Sequence, residues 1–330
     1  MNNSMNEWLA QTAIELEKQS AEYENQHQVG SVIVQKAKAG DIASILELKR
    51  LAKEGNSAAR AALEPLYYDN IKIHAVGTVV LREGLTSIGD SVFRDCSSLE
   101  KIVLPKGVTS IGNSVFEDCI RLQEIVLSEG VTSIGRAVFK DCIRLQEIVL
   151  PEGVTSIGGW AFYGCSSLEK IVLPKGVISI GELAFYGCSS LEKIVLPKGV
   201  TSIGRLAFYG CIKLQEIVLP EGVTSIDDSA FFGCRSLEKI VLPKSLTHIG
   251  SYAFRGCMSL REVVFPEDLV NIGNLYFEDS HRLKRFAGGT FPAFKDCANL
   301  TNIAYRKKTE PLLKEFFGWQ WDRLEKTVIE

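Results

Sequence analysis

From Leu99 onwards the apolar positions of the chain return in a fixed order. Leu99, Ile102 and Leu104 come first, then Val108 and Ile111, then Phe116 and Cys119. The set then repeats, so that cysteine stands at Cys96, Cys119, Cys142, Cys165, Cys188, Cys211, Cys234 and Cys257, every 23 residues. A constant period in the twenties predicts a solenoid, with each unit one coil and every recurring apolar position a column along the core. The spacing Leu-x-x-Ile-x-Leu predicts a short strand in each coil. Pro105 ends it, because proline cannot donate to a ladder inside a sheet. Gly107 supplies a turn, and residues 108–111 form a second short extended run. A glycine follows that run at Gly89, Gly112, Gly135, Gly158, Gly181, Gly204, Gly250 and Gly273, with Asp227 in its place once. Glycine with an occasional aspartate predicts a positive-φ backbone position. The third side of each coil is predicted as a short helical turn that brings Phe116 and Cys119 inward.

The flanks follow other rules. Residues 1–75 carry no repeat and read as a helical region. Trp8, Leu9, Ala13, Leu16 and Tyr23 fit a first helix, residues 29–39 a second, and Ile42, Ile45, Leu46 and Ala52 the stripe of a third. Residues 58–66 form a fourth. The region is read as a cap on the first coil or as a separate interaction module. Residues 76–304 are the solenoid. Its last repeat is read as shortened, with Ser280 in the cysteine place and Leu283 closer to Phe294 along the chain than Leu99 is to Phe116. Residues 305–330 predict a capping helix. Thr309 is its N-cap and Pro311 a helix-start proline. Leu312, Leu313, Phe316, Phe317, Trp321, Leu324 and Val328 are its apolar face, laid over the open end of the last coil. The expected class is an α+β repeat solenoid with a parallel strand ladder and helices at both ends.

Composition removes several functions. The 330 residues carry 37 basic and 40 acidic side chains, a net charge of −3, with no Lys/Arg block of the kind that tracks nucleic acid. No apolar run reaches the ~18 residues of a membrane span. The start, Met1 to Ser20, holds Glu7, Glu15 and Glu17 and no continuous apolar core, which does not read as a secretory signal and favours a cytoplasmic location.

Candidate chemistry is sparse. No cysteine pair has the close C-x-x-C spacing of a metal site. Stacked cysteines could approach disulfide distance, but parallel inward side chains favour a buried apolar column. His27, His74, His248 and His281 have no metal-binding or Cys/His catalytic spacing. Asp95, Asp118 and Asp141 suggest calcium at first sight. Gly164, Gly187, Gly210, Gly233 and Gly256 occupy the same column, which makes it a turn position. Ser110 and its copies are read as a hydrogen-bonded ladder along the core. No cofactor, metal or catalytic residue is expected.

Two surfaces are candidates for binding a protein partner. On the strand face one outward column reads Lys101, Glu124, Glu147, Lys170, Lys193, Glu216, Lys239, Glu262, Arg285. The next is valine throughout: Val103, Val126, Val149, Val172, Val195, Val218, Val241, Val264. On the turn side Trp160 and Tyr163, Leu183 and Tyr186, and Leu206 and Tyr209 each stand three apart, and Phe232 extends the row. Earlier coils hold Ser91/Arg94, Ser114/Glu117 and Ala137/Lys140 in those places. Clustered aromatic residues at a surface mark binding sites.

The repeat also carries a family resemblance. Ala-Phe-Tyr-Gly-Cys-Ser-Ser-Leu-Glu-Lys-Ile-Val-Leu-Pro-Lys-Gly-Val, from Ala161 to Val177, resembles the BspA-type leucine-rich repeat, and the likeness runs from about Val76 to Ile303. The resemblance implies a β-rich solenoid and protein-binding roles, bacterial and protist surface adhesins among them, and no catalytic residues. The chain departs from the adhesins in its helical start and in lacking a visible signal peptide. The sequence therefore predicts a non-enzymatic protein-binding scaffold. The alternatives are a surface adhesin or a regulator whose activity lies in the N-terminal region.

Overall fold

The structure is a computed structural model that describes residues 77–81, 83–273, 275–279, 282–285, 293–294 and 296–329, together with Lys36, Ser44, Glu47, Leu48 and Arg50. Each repeat unit is one coil. Strands Leu99–Val103, Glu124–Val126, Glu147–Val149, Lys170–Val172, Lys193–Val195, Glu216–Val218, Lys239–Val241 and Glu262–Val264 line one side. They run parallel in one-coil register, Ile102 opposite Ile125 and Ile148 opposite Ile171. Gly77–Val80 adds a strand before them, with Val79 opposite Ile102. The short runs Ser156–Ile157, Ser179–Ile180, Ser202–Ile203, Ser225–Ile226, His248–Ile249 and Asn271–Ile272 build a second parallel sheet.

The third side is not helical. Ser114 and Asp118 both have positive φ, 53° and 61°, and each copy of the unit repeats the pair. Two left-handed residues four apart break any helical turn. Between them Glu117 N–H bonds to the Ser114 carbonyl, while Phe116 and Asp118 donate to the Val138 and Lys140 carbonyls of the next coil. This side is therefore a third cross-coil ladder, and it still turns Phe116 and Cys119 fully inward.

The core is a set of columns. Phe93, Phe116, Phe139, Phe162, Phe185, Phe208, Phe231 and Phe254 are stacked one per coil with centroids 5.2–5.6 Å apart. All eight repeat cysteines are buried thiols. The thiols of Cys119 and its copies through Cys257 each donate to the carbonyl of the phenylalanine in the preceding coil, at 3.0–3.2 Å. Burial pushes these thiols well above their ordinary range. The serine column does not run along the core: Ser87, Ser110 and Ser133 are exposed and Ser156, Ser179, Ser202 and Ser225 half-buried. The adjacent threonines make the surface ladder instead, Thr109 and Thr155 hydroxyls bonding to the Thr86 and Thr132 carbonyls at 3.3 Å.

The glycine column has a different cause from the one its composition suggested. Of its members only Gly273 has positive φ. Gly112, Gly135, Gly158, Gly181, Gly204 and Gly250 lie against the backbone of the previous coil. A Cβ on Gly158 would stand 2.7 Å from the Gly135 carbonyl carbon, and one on Gly204 2.8 Å from that of Gly181.

The ending also differs. The coil after Phe254 is far longer than those before it, since Phe254 stacks on Phe294 at 4.9 Å and Val263 pairs with Ile303. The excess leaves the coil as an antiparallel hairpin, Leu275–Asp279 with Arg282–Arg285, attached to Asn271–Ile272. Cys297 therefore takes the cysteine place, bonding to the Phe254 carbonyl at 3.1 Å, and Asn302 rather than Arg285 follows Glu262 in the strand-face column. The C-terminal helix is shorter than expected. It spans Glu310–Phe317, stops at Gly318 (φ 51°), and passes through a 3-10 turn into the strand Glu325–Val328, which pairs with Asn302–Tyr305. The Thr309 hydroxyl bonds to the Pro266 carbonyl at 2.9 Å instead of capping the helix. Leu312, Leu313, Phe317, Trp321 and Leu324 are buried in the same core.

From residue 77 onward Glu310–Phe317 is the only α-helix among the described residues, so the molecule is a β-solenoid rather than an α+β one. The expected helical N-terminal region lies outside the described residues, apart from the five single positions named above. Of these, Leu48 is buried in the solenoid core.

Candidate partner-binding surfaces

Strand alternation turns Ile102 and its copies inward, and the residues on either side of each isoleucine outward. Val149, Val172, Val195, Val218 and Val241 are 73, 65, 56, 49 and 53% exposed. This apolar stripe stops at the first coils: Val103 is buried and Val126 half-buried. Beside it the charged column pairs within the chain. Lys101–Glu124 (2.7 Å), Glu147–Lys170 (3.1 Å), Lys193–Glu216 (2.8 Å) and Lys239–Glu262 (3.0 Å) each link two neighbouring strands. The same four strand pairs carry the backbone ladder, which is interrupted between Val126 and Glu147, Val172 and Lys193, and Val218 and Lys239. The first two breaks fall where like charges adjoin.

The turn-side row is a stack. Tyr163, Tyr186, Tyr209 and Phe232 lie ring on ring at 4.6–4.7 Å, and Trp160 packs on Tyr163 at 5.1 Å. Arg136 sits over Trp160 at 5.6 Å and Arg255 over Phe232 at 5.3 Å, so a guanidinium closes each end. The ring faces are thus occupied by one another. All five rings are half-buried, Leu183 is buried and Leu206 half-buried. Trp160, Leu183 and Leu206 hold φ of 64°, 54° and 56°, a left-handed conformation that costs a non-glycine residue about 1–2 kcal/mol.

Sequence reasoning missed two features. Ile120, Ile143, Ile212 and Met258, one place after the cysteine, are exposed apolar residues in a column that Ser166, Ser189 and Arg235 interrupt. Glu117 is buried between two cations, Lys140 at 2.7 Å and Arg94 at 3.1 Å. Burial resists its ionisation, but hydrogen bonds from Lys140 and Ser114 and the charges of Lys140 and Arg94 outweigh that and hold it below its ordinary 4.5. The signal for it was the column Arg94, Glu117, Lys140, three residues one coil apart. Asp95, Asp118 and Asp141 have φ of 57–61°, which accounts for that column as a turn. Among the described residues no cluster of His, Cys, Asp or Glu is arranged to hold a metal ion, and no helix is long and apolar enough to cross a membrane.

A family model described as BspA type leucine rich repeat region matches residues 72–192 and 178–288 in six copies. Among solved structures, a leucine-rich repeat protein from Bacteroides ovatus is similar at 25% identity and TM-score 0.54, over 80% of this chain and 74% of that one. The leucine rich repeat protein of T. pallidum is 36% identical over 49% of this chain and 78% of that one, with TM-score 0.48. A leucine rich cell surface protein from Faecalibacterium prausnitzii is 24% identical over 77% of this chain and 82% of that one, with TM-score 0.42. Comparison with curated proteins found no match.

Proposed function

Because the chain belongs to the BspA-type leucine-rich repeat family, we propose that it is a non-enzymatic scaffold that binds a protein through its strand face. The row of five valines, each about half exposed or more, carries this reading. Valines paired across strands favour the sheet by themselves, and five of them left open to solvent add a continuous apolar surface that a partner can cover. Covering one such valine is worth about 1 kcal/mol, half or more of the ~1.5 kcal/mol for full burial, so five coils supply several kcal/mol. The flanking Lys/Glu column supplies a polar rim. The aromatic stack lies outside this surface, on the third side of the coil, where its rings cover each other's faces.

The test compares capture of partners from native lysate by the wild-type chain and by Val149→Ser/Val172→Ser/Val195→Ser. Loss of the captured protein at an unchanged melting temperature is expected. Capture that survives the triple substitution overturns the reading.

A cytoplasmic location is part of the same proposal. Nine cysteines held as thiols support it, since an oxidising compartment would expose the unfolded chain to mispairing. Recovery of the protein outside the cell on fractionation would refute it.

A further inference from the structure

The order of charges on the strand face holds more than intrachain pairing requires. Four neighbouring ion pairs need only strict alternation of lysine and glutamate. The chain instead reads Lys101, Glu124, Glu147, Lys170, Lys193, Glu216. One pair is reversed, which sets Glu124 beside Glu147 and Lys170 beside Lys193, and like charges on adjacent strands are unfavourable. The turn column makes the same reversal: Lys106, Glu129, Glu152, Lys175, Lys198, Glu221. The column ahead of the strand follows suit, with Gln123 and Gln146 in the acidic coils and Glu169 and Glu192 in the basic ones.

Two acidic coils followed by two basic ones are complementary to their own reversed copy. We propose that the strand face binds a second copy of this chain, the two solenoids running in opposite directions about a two-fold axis. The axis lies parallel to the strands and passes between the coils of Glu147 and Lys170. Each column then meets its own counterpart. Glu147 faces Lys170 of the second copy and Glu124 faces Lys193. Glu152 faces Lys175 and Glu129 faces Lys198. Gln146 and Gln123 face Glu169 and Glu192, so no glutamate meets a glutamate. Such an isologous contact makes every pair twice. Solenoids running the same way would instead set each coil against its own copy, acidic coil facing acidic and basic facing basic.

The apolar stripe agrees with this centre. Val149 and Val172, the two most exposed valines at 73% and 65%, flank the axis. Val103, buried, would fall at the margin, opposite Val218. Sheet twist concentrates contact on the coils nearest the axis.

This inference rests on the strand face being the binding surface and names the partner. Its test is sedimentation of the full-length chain over a dilution series at low and high salt. A dimer that weakens with salt is expected. Glu124→Lys and Lys193→Glu should each weaken it at least ~10-fold. The double variant Glu124→Lys/Lys193→Glu should regain it, although it leaves both intrachain pairs, Lys101–Glu124 and Lys193–Glu216, like-charged. Recovery therefore reports the second copy and not the fold, which the melting temperature follows separately. Mixing Val149→Cys with Val172→Cys chains should give a cross-linked pair under mild oxidation, and neither alone should do so as readily.

A chain that stays monomeric at low salt overturns the inference, as does a dimer indifferent to the single reversals or a double variant as weak as either. If the chain is monomeric yet the valine triple variant loses a captured protein, only the second-copy inference falls. If the dimer persists in the valine triple variant, the strand-face reading falls with it.

Discussion

Gly181→Ala tests how closely the coils approach. The added Cβ would stand 2.5 Å from the Gly159 nitrogen and 2.7 Å from the Gly158 carbonyl carbon. Both are backbone atoms, so no side chain can swing aside. Reaching ordinary contact near 3.5 Å requires these coils to part by about 1 Å. The Gly181 N–H donates to the Ile157 carbonyl at 3.0 Å, and the same movement takes that bond out of reach. Overpacking of ~1–3 kcal/mol and a lost hydrogen bond of ~1 kcal/mol together predict about 2–4 kcal/mol lost in urea unfolding. Gly181 does not have positive φ. If the Cβ had room, the less flexible unfolded chain would make alanine more stable by ~0.4–1 kcal/mol. The two accounts therefore differ in sign, and a gain would refute the packing argument. Asp227 supplies the converse, as it carries a Cβ in the same column and its carboxyl is held above its ordinary range by burial and by Asp228. Asp227→Gly should leave stability unchanged or raise it, despite the ~0.5–1 kcal/mol entropic cost of glycine.

Other outcomes follow from the columns. Phe185→Ala empties a site between two parallel rings and should cost about 3–5 kcal/mol by urea unfolding, with the transition broadening as the two halves uncouple. Tyr186→Ser removes two stacking contacts and should cost ~1–3 kcal/mol, seen as a lower melting temperature. Glu117 is held below its ordinary 4.5, so its contribution is complete above that pH and is lost as pH falls through its lower folded value. Glu117→Gln should therefore cost ~1–3 kcal/mol at neutral pH, and its gap from the wild type should close in acid melts. Thiol labelling of the native chain should find the eight repeat cysteines unreactive and Cys297 first to react, though still slowly, because burial raises it to about 12.

Much of the fold was legible because one rule is applied many times. The inward places of phenylalanine, cysteine and the aliphatic columns follow from the period alone. The glycine column was legible as a column but not in its cause, since glycine serves both positive φ and close approach. The true left-handed places were marked by Asp141 giving way to Gly164, and by a column that runs Ser114, Ala137, Trp160, in which no glycine appears. The long last coil reads as two in the sequence because Phe277 and Ser280 imitate the spacing that Phe294 and Cys297 fulfil. The exposed valines from Val149 to Val241 were legible by alternation, whereas the burial of Val103 was not. That the aromatic rings cover each other was not, because spacing along a coil does not fix ring orientation across coils.

The hairpin of Leu275–Asp279 and Arg282–Arg285 has a further effect. A run of parallel strands offers at its last member the same pattern of donors and acceptors as at every step before it, and so invites another chain to continue it. Here the second sheet finishes on strands of reversed direction. Continuing that sheet in the same sense is no longer possible from this end. The strand-face sheet has no such reversal, since Glu325–Val328 pairs in parallel with Asn302–Tyr305, so the hairpin closes one of the two sheets and leaves the other to its short, exposed last strand.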